Sequence, residues 1–434
     1  MMLQDTIKKL FLIITLLFFL SCIALGISNN SYLHDLFYYS IFSYLIFVTL
    51  RHVLFLFFAI VEGRIARQLN SEIAPLVSII VPAYNEAAVI KDALSGLLDL
   101  QYSNTEIIVI DDGSTDQTET IVREFSSTHP EHAIRVYSQT NAGKACALNS
   151  GIFHARGEFI LCVDADSRLT PDALNNAFKH FEDPAVGAVG GFIAVRNPQS
   201  LIAQFQQLEY LISLYFIRKA LSYFGAVTII PGPVGLFRRE AINAVFGYRE
   251  EKDIFAEDAD LTVRLLSAGW KVKGDTSMVS ATEVPIDVFS VLRQRYRWKR
   301  GIFQAFFDNF THLVTANSIR GMIIGIYLAL EAMILPVLNF GLTLFLLVHF
   351  LYFGEFQLIL KYYLILVSLD LSTFIYVFYR HDNKFKSFVI YFIQKFSYSY
   401  LMQAWGIFAL LDEWRSSKMS WDKLDRIGEA AKAR

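Results

Sequence analysis

Two strand-like runs in this sequence end in carboxylates. Ile107-Ile108-Val109-Ile110 leads directly into Asp111-Asp112-Gly113, and Phe159-Ile160-Leu161-Cys162-Val163 leads into Asp164-Ala165-Asp166. Because side chains alternate along a strand, Asp164 and Asp166 leave the same face at its end. Two carboxylates so placed offer hard oxygen ligands to Mg²⁺ or Mn²⁺, in the kind of site where the ion also holds substrate phosphates. Such an ion would neutralise charge building on a departing diphosphate. Taken alone, Asp-x-Asp is more often a solvated turn.

A third acidic site, Glu257-Asp258, precedes an amphipathic pattern formed by Leu261, Leu265, Leu266 and Trp270. Carboxylates there either cap the helix and complement its dipole or include a general base. A fourth element is Gln294-Arg295-Tyr296-Arg297-Trp298. If helical, it puts Gln294, Arg297 and Trp298 on one face, where a guanidinium and an indole would hold a phosphate and a sugar ring. The alternative is a basic juxtamembrane helix, given Arg293, Arg295, Lys299 and Arg300. None of the Ser–His or Cys–His arrangements of nucleophilic catalysis is evident.

These side chains need a scaffold. From Pro75 to about Gly301 short apolar runs alternate with amphipathic stretches. Candidate strands are Val77–Val81, Ile107–Ile110, Phe159–Val163 and Val186–Val195. Ser114-Thr115-Asp116-Gln117 has capping-box spacing ahead of a helix to about Phe125. Thr170-Pro171 opens another over Asp172–Phe181. The alternation predicts an α/β domain with a largely parallel sheet, helices on both faces and ligands beyond the carboxyl ends of the strands.

The remainder is apolar, and the 434-residue chain is 54% hydrophobic overall. Leu10–Ile27, after Lys8-Lys9, reads as a signal peptide or, by its length, as an uncleaved membrane helix. Leu36–Val61 is interrupted by Arg51-His52 and trailed by Arg64 and Arg67, so positive charge places the domain after it in the cytoplasm. Ile319–Leu351, Leu358–Phe378 and Phe388–Leu411 are further candidate membrane segments. Three such passes would carry the tail outside, whereas Arg415, Lys418, Lys423, Arg426, Lys432 and Arg434 favour the inside. The number of passes stays open, with Pro336 a place for a bend. The expected organisation is membrane helices over 1–70, a cytoplasmic domain with interfacial helices over 75–301, a membrane region over 302–411 and a basic cytoplasmic tail over 412–434. This is a multi-pass protein of the plasma (inner) membrane, in contact with the lipid bilayer. A formal net charge of −2 gives no bulk signal for nucleic acid. The three cysteines, Cys22, Cys146 and Cys162, fit no zinc or disulfide spacing and read as buried thiols in a reducing compartment.

Taken together and in this order, the motifs resemble the processive family-two glycosyltransferases, which include the cellulose, chitin, hyaluronan and poly-N-acetylglucosamine synthases. The pattern covers Val77 to Gly301, about half of the chain. The resemblance implies a GT-A-type, Rossmann-like nucleotide-sugar-binding domain flanked by transmembrane helices. Val77–Glu86 is similar to the family's opening strand, whose end, here Ala83, Tyr84 and Glu86, holds the uridine. Asp111-Asp112-Gly113 resembles its second nucleotide-contacting motif. Asn141-Ala142-Gly143-Lys144 resembles Asn-x-Gly-Lys, whose lysine lies near the donor. Asp164-Ala165-Asp166 resembles the metal-binding Asp-x-Asp, with Asp164 also beside the nucleotide-sugar. Glu257-Asp258 resembles the pair whose aspartate, here Asp258, is the catalytic base. Gln294, Arg297 and Trp298 match Gln-x-x-Arg-Trp, associated with diphosphate binding and processive synthesis.

In layout the chain is closest to the bacterial poly-N-acetylglucosamine synthases. The resemblance therefore implies inverting, Mg²⁺- or Mn²⁺-dependent transfer from a UDP-sugar, N-acetylglucosamine first and glucose next, to a growing β-linked polysaccharide that is exported. A small membrane partner subunit is implied by the same likeness. Transfer of one sugar to a lipid acceptor is the alternative. Two departures stand out: Ala256 occupies a position where threonine is common, and Pro231 and Pro233 stiffen a small-residue loop near the acceptor. Trp421-Asp422-Lys423-Leu424-Asp425-Arg426 resembles the Trp-x-Lys-x-x-Arg tail of some bacterial members, and no nucleotide-sensing domain is expected beyond the last membrane segment.

Overall fold

Apolar residues that alternate between two faces build a central sheet. In chain order its strands are β1 (Val77–Ala83), β2 (Thr105–Asp111), β3 (Ile134–Ser138), β4 (Phe159–Cys162), β5 (Arg168–Leu169), β6 (Val186–Val195), β7 (Gly235–Arg238) and β8 (Lys271–Thr282). This computed structural model describes residues 2–28, 30–68, 74–251, 254–315, 319–354, 356–379, 384–415 and 417. Lys418, Lys423, Arg426, Lys432, Arg434 and the motif Trp421 to Arg426 lie outside the described residues.

The eight strands run in the order β3-β2-β1-β4-β7-β6-β8-β5. β1 pairs in parallel with β2 and β4, and β2 with β3. β7 then enters antiparallel between β4 and β6, β8 lies parallel to β6, and β5 closes the edge antiparallel to β8. The sheet is therefore mixed, which corrects the expectation of a largely parallel one. The physical cause is β7, a strand of 4 residues that comes after the stiff Pro231–Val234 loop and reverses direction beside β4.

The period of two in the strands separates two cores. Val77, Ile79, Val81, Ile107, Val109 and Leu161 pack on one side with Ile90, Leu94, Leu97 and Phe178. Ile80, Ile108, Ile110, Ile160 and Cys162 face the other side. There they meet Ala147 and Leu148 of the helix Lys144–His154 and Leu261 and Leu265 of the helix Glu257–Ser267. The same core continues into Phe303, Phe306 and Phe307 of the helix Val288–Thr315. Both expected helices form. Thr118–Thr128 starts with Asp116, not Ser114, accepting the Thr118 backbone N–H at 2.9 Å. The second spans only Ala173–Phe178.

Among the described residues three helices, Asp35–Ala66, Ile324–Phe353 and Ile359–Phe378, are long and apolar enough to cross a membrane, and Phe11–Gly26 is a shorter apolar helix. The run containing Pro336 does not bend back. A π-helical segment, Ala329–Ile334, runs without a break into Leu335–Phe353, so Pro336 lies inside a continuous helix, directly after the widened turn. Over Phe388–Leu411 there is no single long helix but two shorter ones, Lys384–Phe396 and Tyr398–Trp414, which meet at Ser397.

Buried polar and ionic pairs fasten the apolar helices to the domain. Glu62 accepts from Ser222 Oγ at 2.7 Å and pairs with Lys273 Nζ at 3.2 Å. Glu413 pairs with Lys8 at 2.6 Å and with Arg300 at 3.0 Å. Between the apolar helices themselves Arg51 pairs with Glu331, His52 Nε2 meets Ser372 Oγ at 2.8 Å, and Lys395 pairs with Asp370 at 2.5 Å.

Candidate active site

The ends of β1, β2 and β4 are adjacent in the sheet, so the carboxylates at those ends gather at one edge. After β1 the chain passes from the buried Ala83 through the half-buried Tyr84, Asn85 and Glu86. Asn85 is left-handed (φ 53°), a conformation its short amide side chain tolerates. Its backbone N–H donates to Ser114 Oγ at 2.9 Å, and its Oδ1 accepts from the Thr115 N–H at 2.8 Å. The Glu86 N–H donates to Thr118 Oγ1 at 2.8 Å. The two loops are thus laced together by their own hydrogen bonds.

Asp111 and Asp112 are both buried but differ in use. Asp112 is fully committed: its oxygens accept from Gln139 Nε2 at 2.8 Å and from the backbone N–H groups of Ala142 at 3.0 Å and Gly143 at 2.8 Å. It anchors the segment that ends at Lys144. Asp111 Oδ2 accepts only the Ser114 N–H at 3.2 Å, while Asp111 Oδ1 is buried with no hydrogen-bond partner among the described residues. A buried, unmatched acceptor carries a desolvation cost that a ligand N–H would relieve.

Lys144 is the first residue of its helix, and its ammonium is the centre of the site. Lys144 Nζ lies 2.6 Å from Asp164 Oδ1 and 3.3 Å from Glu257 Oε1. Burial alone would lower the lysine, but the charges of Asp164 and Glu257 outweigh it and hold the ammonium well above its ordinary value. The backbone at Gly232 comes so close that a Cβ there would stand 2.9 Å from Lys144 Nζ and 3.7 Å from Asp164 Oδ2. The Gly232 N–H donates to Asp258 Oδ2 at 3.3 Å, and the Ala259 N–H donates to Asp258 Oδ1 at 2.7 Å. Burial, then the neighbouring Glu257 charge, push the Asp258 carboxyl up to about 6, with Lys144 acting in the opposite direction. Thr262 braces this arrangement, donating to the Asp258 carbonyl at 2.6 Å while accepting the Ile230 N–H at 3.0 Å.

Asp166 is buried, and Ser167 Oγ donates to its Oδ1 at 3.1 Å. Among the described residues no group of three or more His, Cys, Asp and Glu side chains could hold a metal ion. Asp164 and Asp166 are a sparse donor set, and they fit Mg²⁺ or Mn²⁺ bound by one or two carboxylates, with phosphate and water completing the shell. That Asp164 already holds a cation, the Lys144 ammonium, shows that the spot favours positive charge.

Gln294, Arg297 and Trp298 lie on the helix Val288–Thr315, all half-buried. Among the described residues Arg297 makes no hydrogen bond or ion pair, and Gln294 Oε1 is buried without a partner. Their neighbours are committed to structure. Arg295 pairs with Glu209 at 3.0 Å and lies 4.4 Å over the Trp298 ring, and Tyr296 donates to Asp412 at 2.7 Å. The helix reaches the carboxylate cluster at Gly301, whose α-carbon abuts Ala256. Among the described residues no direct bond joins Gln294, Arg297 or Trp298 to that cluster.

Sequence reasoning missed Thr262 and Arg218, and read Gly232 only as part of the loop near the acceptor, not as a donor to Asp258. Arg218 ends the π-helical segment Ser213–Arg218 and donates to the Gly191 carbonyl at 3.2 Å. Burial draws its guanidinium down to about 10, and the charge of Asp258 works against that fall. Nothing in its local sequence singles it out, because its relation to Asp258 arises only through folding. Of the cysteines, Cys22 and Cys162 are buried but Cys146 is only partly so, and burial pushes the Cys162 thiol up to about 12.

Residues 78–246 match the family described as Glycosyl transferase family 2. The poly-beta-1,6-N-acetyl-D-glucosamine synthase of Staphylococcus epidermidis is 34% identical over 226 residues, 52% of this chain and 54% of that protein. The protein of the same name from Staphylococcus aureus (strain COL) is 34% identical over 228 residues, again 52% of this chain and 54% of the relative. The chain thus spans about half the length of the curated relatives it matches. Among solved structures, the mannosyltransferase PcManGT from Pyrobaculum calidifontis, in complex with GDP-Man and Mn²⁺, superposes with a TM-score of 0.59 at 23% identity. That match covers 87% of this chain and 100% of the other, and it establishes a GT-A-like fold.

Proposed function

Starting from a family-two glycosyltransferase domain, we propose that this protein is an inverting, metal-dependent hexosyltransferase that moves N-acetylglucosamine from UDP to a growing β-linked polysaccharide. The observation that carries the reading is the seating of Asp258 on the Gly232 N–H, at the same backbone position that abuts the Lys144–Asp164 pair, with burial and the Glu257 charge raising its carboxyl. A general base works best when its pKa approaches the operating pH.

In this reading an acceptor hydroxyl approaches Asp258, which takes its proton as the oxygen attacks the anomeric carbon from the side opposite the nucleotide. The bond from that carbon to the diphosphate oxygen breaks, UDP departs, and an α-linked donor gives a β-linked product. Asp111 Oδ1 accepts a base N–H, with Ala83, Tyr84 and Glu86 lining the same loop and Asp112 fixing the segment beneath. Lys144 and Arg297 meet the diphosphate, with Gln294 and Trp298 beside them, supplying fixed positive charge where negative charge develops. A divalent ion held by Asp164 and Asp166 would add Lewis-acid neutralisation of the leaving group.

The identity to poly-N-acetylglucosamine synthases over about half of the chain supports the choice of sugar. The proposed arrangement places residues 75–301 in the cytoplasm between membrane regions 1–70 and 302–411, with a tail over 412–434. Charged and polar pairs between apolar helices, Arg51–Glu331 and His52–Ser372, are costly in a bilayer and support a polar route for the exported chain. A small membrane partner subunit belongs to the same proposal.

The test uses the full chain in lipid nanodiscs with Mg²⁺ or Mn²⁺ and a panel of UDP-sugars, sizing the products beside Asp258→Asn. Long polymer from UDP-N-acetylglucosamine, absent in the variant, supports the proposal. Product limited to one sugar on a lipid selects the non-processive reading. Turnover that survives in Asp258→Asn overturns the catalytic assignment.

A further inference from the structure

Lys144 occupies the ground that a metal would need. Its ammonium sits 2.6 Å from Asp164 Oδ1 and 3.3 Å from Glu257 Oε1, under the backbone of Gly232. Asp258 adds a third negative charge to its surroundings. One cation therefore balances much of an acidic cluster that would otherwise repel itself. A divalent ion on the same Asp164 carboxylate would stand within a few ångströms of that ammonium, and like charges so close in a partly desolvated site repel strongly.

We infer that Lys144 is the resident cation of the donor-free site and must leave Asp164 before a divalent ion can be held there. The lysine can make that move: its stem is flexible and its three donors rotate, unlike the planar fork of an arginine. What draws it away is an anion with more charge than one carboxylate, and the diphosphate of a nucleotide is that anion. Binding is then coupled in a definite sense. The nucleotide takes Lys144, Asp164 is freed, and the ion enters with or after the diphosphate, not alone. Lys144 acts here as a positioning residue that sets the order of assembly. The inference rests on the metal-dependent reading of the site but not on which sugar is transferred or to what.

The experiment measures Mn²⁺ binding by electron paramagnetic resonance on the full chain in nanodiscs, first without nucleotide and then with UDP. The wild type should bind Mn²⁺ weakly alone, and UDP should tighten it at least tenfold. Lys144→Gln should bind Mn²⁺ alone about tenfold more tightly than the wild type, with the UDP effect reduced by the same factor to what direct ligation by phosphate supplies. Lys144→Arg keeps the charge and should keep the weak binding, which separates loss of charge from damage to the fold. Asp164→Asn should abolish binding in both backgrounds. Equal Mn²⁺ affinity in wild type and Lys144→Gln overturns the inference, as does tightening in Lys144→Arg or Mn²⁺ binding that survives Asp164→Asn. None of these readouts needs turnover, so a protein inactive toward every UDP-sugar would sink the proposed function and leave this test intact.

Discussion

Gly301 and Ala256 meet with no room for a side chain at 301: a Cβ there would stand 2.4 Å from the Ala256 Cβ and 2.7 Å from the Ala256 nitrogen. This contact sets the distance between the helix bearing Arg297 and the residue just before Glu257-Asp258. Arg297 lies one helical turn before Gly301, on the same face. It also gives the alanine at 256, where family members often carry threonine, a steric role. Gly301→Ala should cost about 1–3 kcal/mol through overpacking and reduce turnover by moving Arg297 relative to Asp258. Adding Ala256→Gly should restore only part, because the Phe255 carbonyl carbon stays 3.0 Å from the new methyl. Thermal melting and rates on both variants check this.

Asp258→Asn keeps the size of the side chain and an oxygen for the Ala259 N–H but removes the base. Turnover should fall by about 10²–10⁴-fold, the usual worth of a general base, with a smaller loss of stability from the amide now facing the Gly232 N–H. Rates similar to wild type would exclude Asp258 as the proton acceptor.

The pH profile depends on the same residue. Asp258 must be ionised to act, and burial with the Glu257 charge raises its pKa to about 6. The rate should therefore fall as pH drops through about 6 and level off above it. Glu257→Gln removes a charge that raises this value, so the fall should move to lower pH. An unmoved profile would mean that another group limits the rate.

Asp112 holds up the Lys144 segment and in this geometry has no oxygen to spare. Asp112→Ala strands the N–H groups of Ala142 and Gly143 and the Gln139 amide. Ala142 and Gly143 are exposed, so water replaces part of these bonds and the total cost should be about 1–3 kcal/mol. Weaker UDP binding together with a lowered melting temperature is expected. Asp111→Asn should weaken UDP binding with little loss of stability, since only one bond, from the Ser114 N–H, is at stake in the fold.

Away from the site, Asp275 is buried against His180 at 2.7 Å and Lys179 at 3.2 Å. Burial acts to raise its carboxyl, yet the His180 hydrogen bond and both charges bring it down to about 2. The stabilisation from this depressed pKa is full above the ordinary carboxylate range and is lost as pH falls through about 2. Asp275→Ala should destabilise by about 3–5 kcal/mol, the cost of leaving buried partners without their counter-charge. Melting at neutral pH would measure it.

Much of the scaffold was legible because its strands are unbroken apolar runs. β6 has the expected bounds, Val186–Val195, and β1, β2 and β4 differ only at their ends. The strands that were missed carry weak signals for physical reasons. β3 is only partly buried, β7 has 4 residues, and β8 carries Lys, Asp, Ser and Thr along its partly covered length. At the site, the order of the carboxylates was readable from their places at strand ends. That Lys144 would seat itself on Asp164, or that Arg218 would feel the charge of Asp258, was not. Those relations depend on chain crossings that no local pattern encodes. The separate duties of Asp111 and Asp112 were equally hidden, since neighbouring identical residues differ only in what folds around them.

Glu413 grips Lys8 and Arg300 together. The foot of the first apolar helix, the helix bearing Arg297 and the end of the helix Tyr398–Trp414 therefore meet at one carboxylate. A chain found on the same side of a bilayer at Lys8 and at Glu413 has traversed it an even number of times. Among the described residues the three long apolar helices and the shorter Phe11–Gly26 make four, two before the sheet domain and two after it. Under the proposed arrangement, four crossings by these helices would bring Arg415 back to the side of Lys8, the parity that the basic tail calls for.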